Sequence, residues 1–274
     1  MTRRPAGSLV LFFLLTYAVM WTLYFTVVAA SIPARSPLGA VLIHLGAWSP
    51  GIVALALTAR AERAAGVRAL LGRVVQWDVP AKWYVFAVGY FLAIELVAAL
   101  IHRVAVGAWP RFGTEPLYLI PFAVALSTPS QAGEEIGWRG YALPRMAARF
   151  GLARSTLLLG LIWGFWHLPQ FFIRDGGSYG QSFFLFVVLV TALTVAMGWL
   201  YGNTGGSLLP VMVMHSAVNN SGGIVPIAAP DGTSTFGLSA SSTTLIGWLT
   251  VSLLWICAAW FLARMPRWRQ DPIA

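Results

Sequence analysis

The chain has 274 residues, of which 58% are hydrophobic and only 10% charged. A soluble domain carries about 25% charged residues, so this composition excludes a water-soluble globular protein, which would lack the polar surface to stay in solution. The formal charge of +9 does not point to a nucleic-acid partner, because the basic residues stand between apolar runs, where they set orientation in a membrane.

Apolar runs of about 20 residues are long enough to cross a bilayer as helices. Eight are read along the chain: 8–31, 37–59, 83–106, 116–143, 155–173, 182–202, 206–226 and 242–263. The expected fold is therefore all-α, a polytopic bundle of about eight transmembrane helices forming one domain over 1–274, with a motif-bearing core at about 116–226. The first run follows Arg3 and Arg4. It is longer than the 7–15-residue core of a signal peptide, so a retained helix is expected despite the small residues at 27–31. The stretch 60–82 mixes Arg with Leu, Val and Trp. It suits either a short amphipathic helix on the inner leaflet or a plain basic loop. The third run carries Glu95, an intramembrane acid without a motif partner. The last holds Cys257, the one cysteine, which rules out an internal disulfide and reads as packing. His44 and His102 read as packing or interfacial residues.

Orientation follows from Lys and Arg. With the N-terminus inside and sides alternating through eight spans, cytoplasmic segments from Arg3 and Arg4 to Arg269 hold thirteen of the eighteen basic residues. The opposite side holds four, Arg35, Arg103, Arg111 and Arg174, and Arg139 lies inside a span. This bias places both termini in the cytoplasm.

Three runs carry polar groups at a depth where charge is costly. The fourth ends in STPSQAGEEIGWRGYALP. Pro129 and Gly133 loosen the helix before Glu134 and Glu135, and such breaks are tolerated where the freed backbone faces protein or a water-filled cavity. Glu135 and Arg139 are spaced i,i+4 and can pair, while Glu134 points about 100° away towards another partner. The fifth run contains LLLGLIWGFWHLPQFF, with His167 under the aromatic cover of Trp163, Phe165 and Trp166. The seventh contains GGSLLPVMVMHSAVNNSGG, in which His215 and Asn219 share a face and can each donate a hydrogen bond. At 1.5 Å per residue, Glu134 and His215 lie ~14 Å from the inner face and His167 ~18 Å. The three groups thus fall in one layer.

These residue types can activate and hold a water molecule. No activated Ser or Cys nucleophile stands near either histidine, and a carboxylate can serve as the base for water. His215 and Asn219 can donate to an oxyanion, and His167 can orient the water or share its proton. A cavity open to the cytoplasmic side would supply the water.

These residues resemble the CPBP family of intramembrane endopeptidases, also called the Abi or CAAX-protease-like family. The first motif, two glutamates followed after three residues by arginine, is Glu134–Glu135 and Arg139. The second, an aromatic and a histidine separated by three residues, is Trp163 and His167, with Trp where Phe is usual. The third, a histidine and Asn separated by three residues, is His215 and Asn219. The resemblance implies a glutamate-activated water, with Glu134, His167, His215 and Asn219 as catalytic residues, Glu135 and Arg139 in support, and no metal or other cofactor. It implies a peptide or membrane-protein substrate, a location in the cell membrane and a lipid bilayer as surroundings, with no nucleic acid. It leaves the oligomeric state and the target open. Two other readings remain. One is a zinc protease using Glu, His and His as ligands, which a chelator would inactivate. The other is a non-enzymatic transporter or immunity protein, disfavoured as a transporter by the lack of an inverted repeat.

Overall fold

The computed structural model describes residues 6–110, 112–113, 116–221, 224–225 and 242–267, and every regular element among them is helical. Arg3, Arg4, Arg111 and Arg269, counted in the charge bias, lie outside these residues, as does the end of the seventh run at Pro226. In chain order come α1 (Ala6–Ala29), α2 (Pro37–Ala47), α3 (Ser49–Gly72) and α4 (Ala81–Val106). The next segment is built of short pieces: a 3₁₀ turn Leu117–Leu119, α5 (Ile120–Ser127), a 3₁₀ turn Thr128–Gln131, α6 (Ala132–Glu135), a π-helix Ile136–Ala142 and α7 (Leu143–Phe150). Then follow α8 (Leu152–Trp166), a 3₁₀ turn Leu168–Phe172, α9 (Phe183–Asn203), α10 (Leu209–Ser221) and α11 (Ser242–Ala263).

The molecule is an all-α membrane protein, but its helices fall into two groups. Among the described residues α1, α4, α9 and α11 are long and apolar enough to cross a membrane, and α2 and α3, bent by 49° to each other, reach that length and apolarity only as a pair. The bend falls at Trp48, where Pro50 removes a backbone donor and crowds the preceding turn. The fourth and fifth runs of the sequence are not uniform helices, whereas the seventh is one α-helix over Leu209–Ser221. Pro129 sits in a 3₁₀ turn, Pro144 follows the π-helix, and Pro169 follows the end of α8. Pro144 has no N–H for the carbonyl of Gly140, and the widened π turn accommodates its ring.

Of the two alternatives for 60–82, the structure gives helix as far as Gly72. Arg63 breaks its regularity with φ 55° and ψ −155°, a conformation that L side chains rarely adopt. Beyond it, Gly66 and Leu70 turn inward while Arg68 stays exposed.

Helix α9 is the central pillar: 78% of its apolar stretch is buried, against 28% for α1 and 39% for α4 and α11. The outer helices expose Leu14, Leu100, Val104 and Ile256, apolar surface suited to lipid. Close crossings rest on glycines. A Cβ on Gly160 of α8 would fall 2.7 Å from the Thr191 Cα of α9. A Cβ on Gly137 would fall 2.4 Å from the Pro50 Cβ, so the π-helix lies directly on α3.

Each end of the bundle is tied by bonds between connecting segments. At one end the Leu208 N–H donates to the Arg73 carbonyl (2.9 Å), Ser207 Oγ to the Gln76 carbonyl (2.6 Å), and Arg145 pairs with Glu62 (3.1 Å). At the other, the Ala34 N–H donates to Asp175 (2.8 Å) and the Gly113 N–H to the Ile224 carbonyl (3.0 Å).

Candidate active site

The site is assembled from the broken segment around α6, the end of α8 and the helix α10. Glu134 and Glu135 lie on α6, only four residues long, between the 3₁₀ turn and the π-helix. The two carboxylates diverge. Glu135 is fully buried, and its Oε1 accepts from Arg139 Nη1 (2.9 Å) and His215 Nδ1 (2.8 Å). Glu134 is partly exposed, and its Oε2 accepts from the indole N–H of Trp163 (2.7 Å).

Arg139 is fully buried in the π-helix, where all seven residues are buried. Its second amino group reaches α9, approaching Met197 Sδ (3.0 Å) and Thr194 Oγ1 (3.4 Å). The guanidinium lies over the Trp163 ring, 4.4 Å from its centroid, an arrangement favoured by the ring quadrupole. A buried charge this well surrounded is tolerable where an unpaired one would not be.

His167 stands at the C-terminal cap of α8 and not within a helix, because Pro169 ends the helical pattern. Its Nδ1 meets the Trp163 carbonyl at 2.7 Å. A carbonyl only accepts, so Nδ1 carries the hydrogen and the other nitrogen of a neutral ring keeps its lone pair. The aromatic cover differs from the sequence reading. Trp163, Trp166 and Phe186 stand edge-on to the His167 ring at 5.3, 4.8 and 5.2 Å. Phe165 is 50% exposed and packs on Phe183 instead.

His215 and Asn219 lie one turn apart on α10, in different environments. His215 is buried against Glu135 and stands edge-on to Trp163 at 5.2 Å. Asn219 is exposed, with Nδ2 3.5 Å from Gln131 Oε1. Asn220 bridges α10 to Ser127 Oγ (2.8 Å). Glu134, Glu135, Arg139, His167 and His215 are therefore linked through hydrogen bonds or shared contacts with Trp163, and Asn219 borders the group beside Gln131.

Three contributors escape the sequence reading. Thr194 and Met197 belong to a run with no polar motif, and only the fold brings them to Arg139. Trp163 is visible in the sequence as an aromatic, but its role as donor to Glu134 is not. Glu95 is buried on α4, and its Oε2 has no hydrogen-bond partner among the described residues. His102 is buried with Nδ1 on the Ala108 carbonyl (3.0 Å), and His44 is exposed with Nδ1 on the Ala40 carbonyl (2.7 Å). Cys257 is partly buried on α11.

The fold and the site define a polytopic helical membrane protein with a buried carboxylate, imidazole and guanidinium cluster. Residues 114–221 match the family model of type II CAAX prenyl endopeptidases, Rce1-like. The chain is also similar to CAAX prenyl protease 2 of Methanococcus maripaludis, with 27% identity over 95 residues, covering 31% of this chain and 34% of that protein. Both similarities fall on the segment that carries the carboxylates and imidazoles, and the match spans about a third of the archaeal relative.

Proposed function

We propose that this protein is an intramembrane endopeptidase in which Glu134 activates water to hydrolyse a peptide bond. The observation that carries this reading is the contrast between the two glutamates. Glu135 is committed to Arg139 and His215, whereas Glu134 is partly exposed and keeps one oxygen clear of its bond to Trp163.

In this mechanism Glu134 takes a proton from water as the water oxygen bonds to the scissile carbonyl carbon. The carbonyl oxygen becomes an oxyanion. Asn219 Nδ2–H and the Nε2–H of a protonated His215 donate to it, and the Glu135 carboxylate at the other side of the ring supports that imidazolium. The tetrahedral intermediate collapses as the carbon–nitrogen bond breaks. The leaving amine receives the proton from Glu134, which returns to its starting form. His167, its Nδ1–H held by the Trp163 carbonyl, offers Nε2 as acceptor for the second water proton.

The end of the bundle that carries Arg68, Arg73, Arg145, Arg149 and Arg154 faces the cytoplasm in this reading, as the basic bias requires. The site opens to that side of the cell membrane. The substrate is a peptide or a membrane-protein segment. A prenylated peptide is the first reporter to try, because the archaeal relative is named for that substrate class.

A zinc enzyme would draw its ligands from Glu134, His167 and His215. Among the described residues no three His, Cys, Asp or Glu side chains converge in a metal-holding group, and His215 turns Nδ1 to a carboxylate already shared with Arg139.

The test is cleavage of a fluorogenic reporter peptide by the full chain in nanodiscs. Glu134→Gln should lower kcat by about 10³-fold without loss of folded protein, and a chelator should leave the wild type active. Undiminished cleavage by the variant would remove Glu134 from the mechanism, and loss of activity to the chelator would favour zinc.

A further inference from the structure

We infer that Trp163 is a positioning residue for Glu134: its indole N–H anchors one carboxylate oxygen so that the other meets the water. The inference deepens the reading above and rests on it for its kinetic part. It does not follow from the motif, in which the usual residue here is Phe, a side chain without a donor.

Glu134 needs such an anchor. It sits on a four-residue helix between a 3₁₀ turn and a π-helix, which fixes its backbone but not its side chain. Its side chain has three rotatable bonds and is partly exposed. The 2.7 Å bond from Trp163 Nε1 lies in the range of charge-assisted hydrogen bonds.

Trp163 is held firmly enough to act as the anchor. It is 4% exposed. One face lies against the Arg139 guanidinium at 4.4 Å, and two imidazoles form T-shaped contacts with it, their centroids at 5.3 Å (His167) and 5.2 Å (His215). Its carbonyl fixes His167 Nδ1 at 2.7 Å. This one residue touches four of the groups assigned to the chemistry. A Phe removes the donor together with one ring of the indole, so a bicyclic replacement without an N–H is needed to separate the hydrogen bond from the packing.

The test compares the wild type with Trp163→Phe and with replacement of Trp163 by benzothienylalanine, which preserves the bicyclic shape but carries sulfur in place of N–H. Both should lower kcat by about tenfold or more, the effect of losing one hydrogen bond to a charged group, with KM unchanged in both and the thermal midpoint unchanged in the benzothienylalanine protein. An unchanged kcat would overturn the inference. So would a raised KM at constant kcat, which would make Trp163 a substrate contact. A second arm needs neither activity nor a stable Phe variant. In protein labelled with ¹⁵N-tryptophan, the Trp163 indole N–H resonance should shift in Glu134→Ala more than that of any other of the 13 tryptophans. A resonance that stays in place would overturn the inference. If the resonance shifts while no peptide is cleaved, the anchoring contact stands and the peptidase reading falls.

Discussion

The long helices α1, α4, α9 and α11 and the segments around α6, α8 and α10 occupy one bundle but solve different problems. The first group satisfies its backbone internally and presents apolar side chains to lipid or to the core. The second is interrupted by 3₁₀ turns, a π-helix and prolines around α6 and at the end of α8, where the glutamates and His167 lie, while His215 comes from the regular helix α10. The irregular segments are enclosed. The π-helix lies between α3 and the α9 side chains that hold Arg139, and α9 is the most enclosed of the four long helices. The lesson is one of division. Regular helices provide a wall that needs only hydrophobicity, and behind it a short helix can aim two adjacent glutamates at different partners.

That contrast can be broken at several places. The largest effect is expected from Arg139→Ala, which leaves the Glu135 carboxylate buried without its guanidinium. Removing one partner of a buried ion pair costs about 3–5 kcal/mol, so the variant should lose thermal stability and folded yield as well as activity, as measured by thermal unfolding in detergent. Asn219→Ala should separate chemistry from folding. An oxyanion donor contributes about 10²–10³-fold to kcat, while the exposed position predicts little change in thermal midpoint. Equal loss of both would assign Asn219 to structure.

Smaller effects test the packing. Gly137→Leu must displace Pro50, since even a Cβ would lie 2.4 Å from its Cβ. Overpacking of this kind costs about 1–3 kcal/mol and should lower the thermal midpoint. The smallest effect belongs to the wall itself. Ile256, 67% exposed on α11, should accept Ala within about 0.5 kcal/mol. A larger loss in the same unfolding assay would mean that this face is covered by protein and not by lipid.

Much of this molecule is legible in its sequence. The low charge content and the long apolar runs define the all-α membrane class, because a bilayer demands little beyond length and apolarity of a spanning helix. The pairing of Glu135 with Arg139 follows from their spacing. The division between the two glutamates follows from their adjacency, since neighbours on a helix cannot face the same way. The uniformity of the spans does not follow. Hydrophobicity over 116–143 and 155–173 gives two spans, and Pro129 and Gly133 mark a loosening of the first, but the π-helix Ile136–Ala142 and the 3₁₀ turn after α8 emerge only in the structure.

The partners across helices were also out of reach. His215 reads naturally as a companion of Asn219, its neighbour one turn away, yet its ring nitrogen goes to Glu135 on another element. Phe165 lies two residues from His167 but turns outward to Phe183, while Phe186 from α9 takes its place beside the imidazole.

By itself, then, the amino-acid order determined which residues could bear charge within the apolar runs, because burial of charge is costly wherever the chain places it. The tertiary structure alone decided which atom of each group meets which partner. Helix crossings at Gly137 and Gly160, the widened turn before Pro144 and the reach of Arg139 to α9 depend on contacts between segments far apart in the chain, and no local periodicity encodes them.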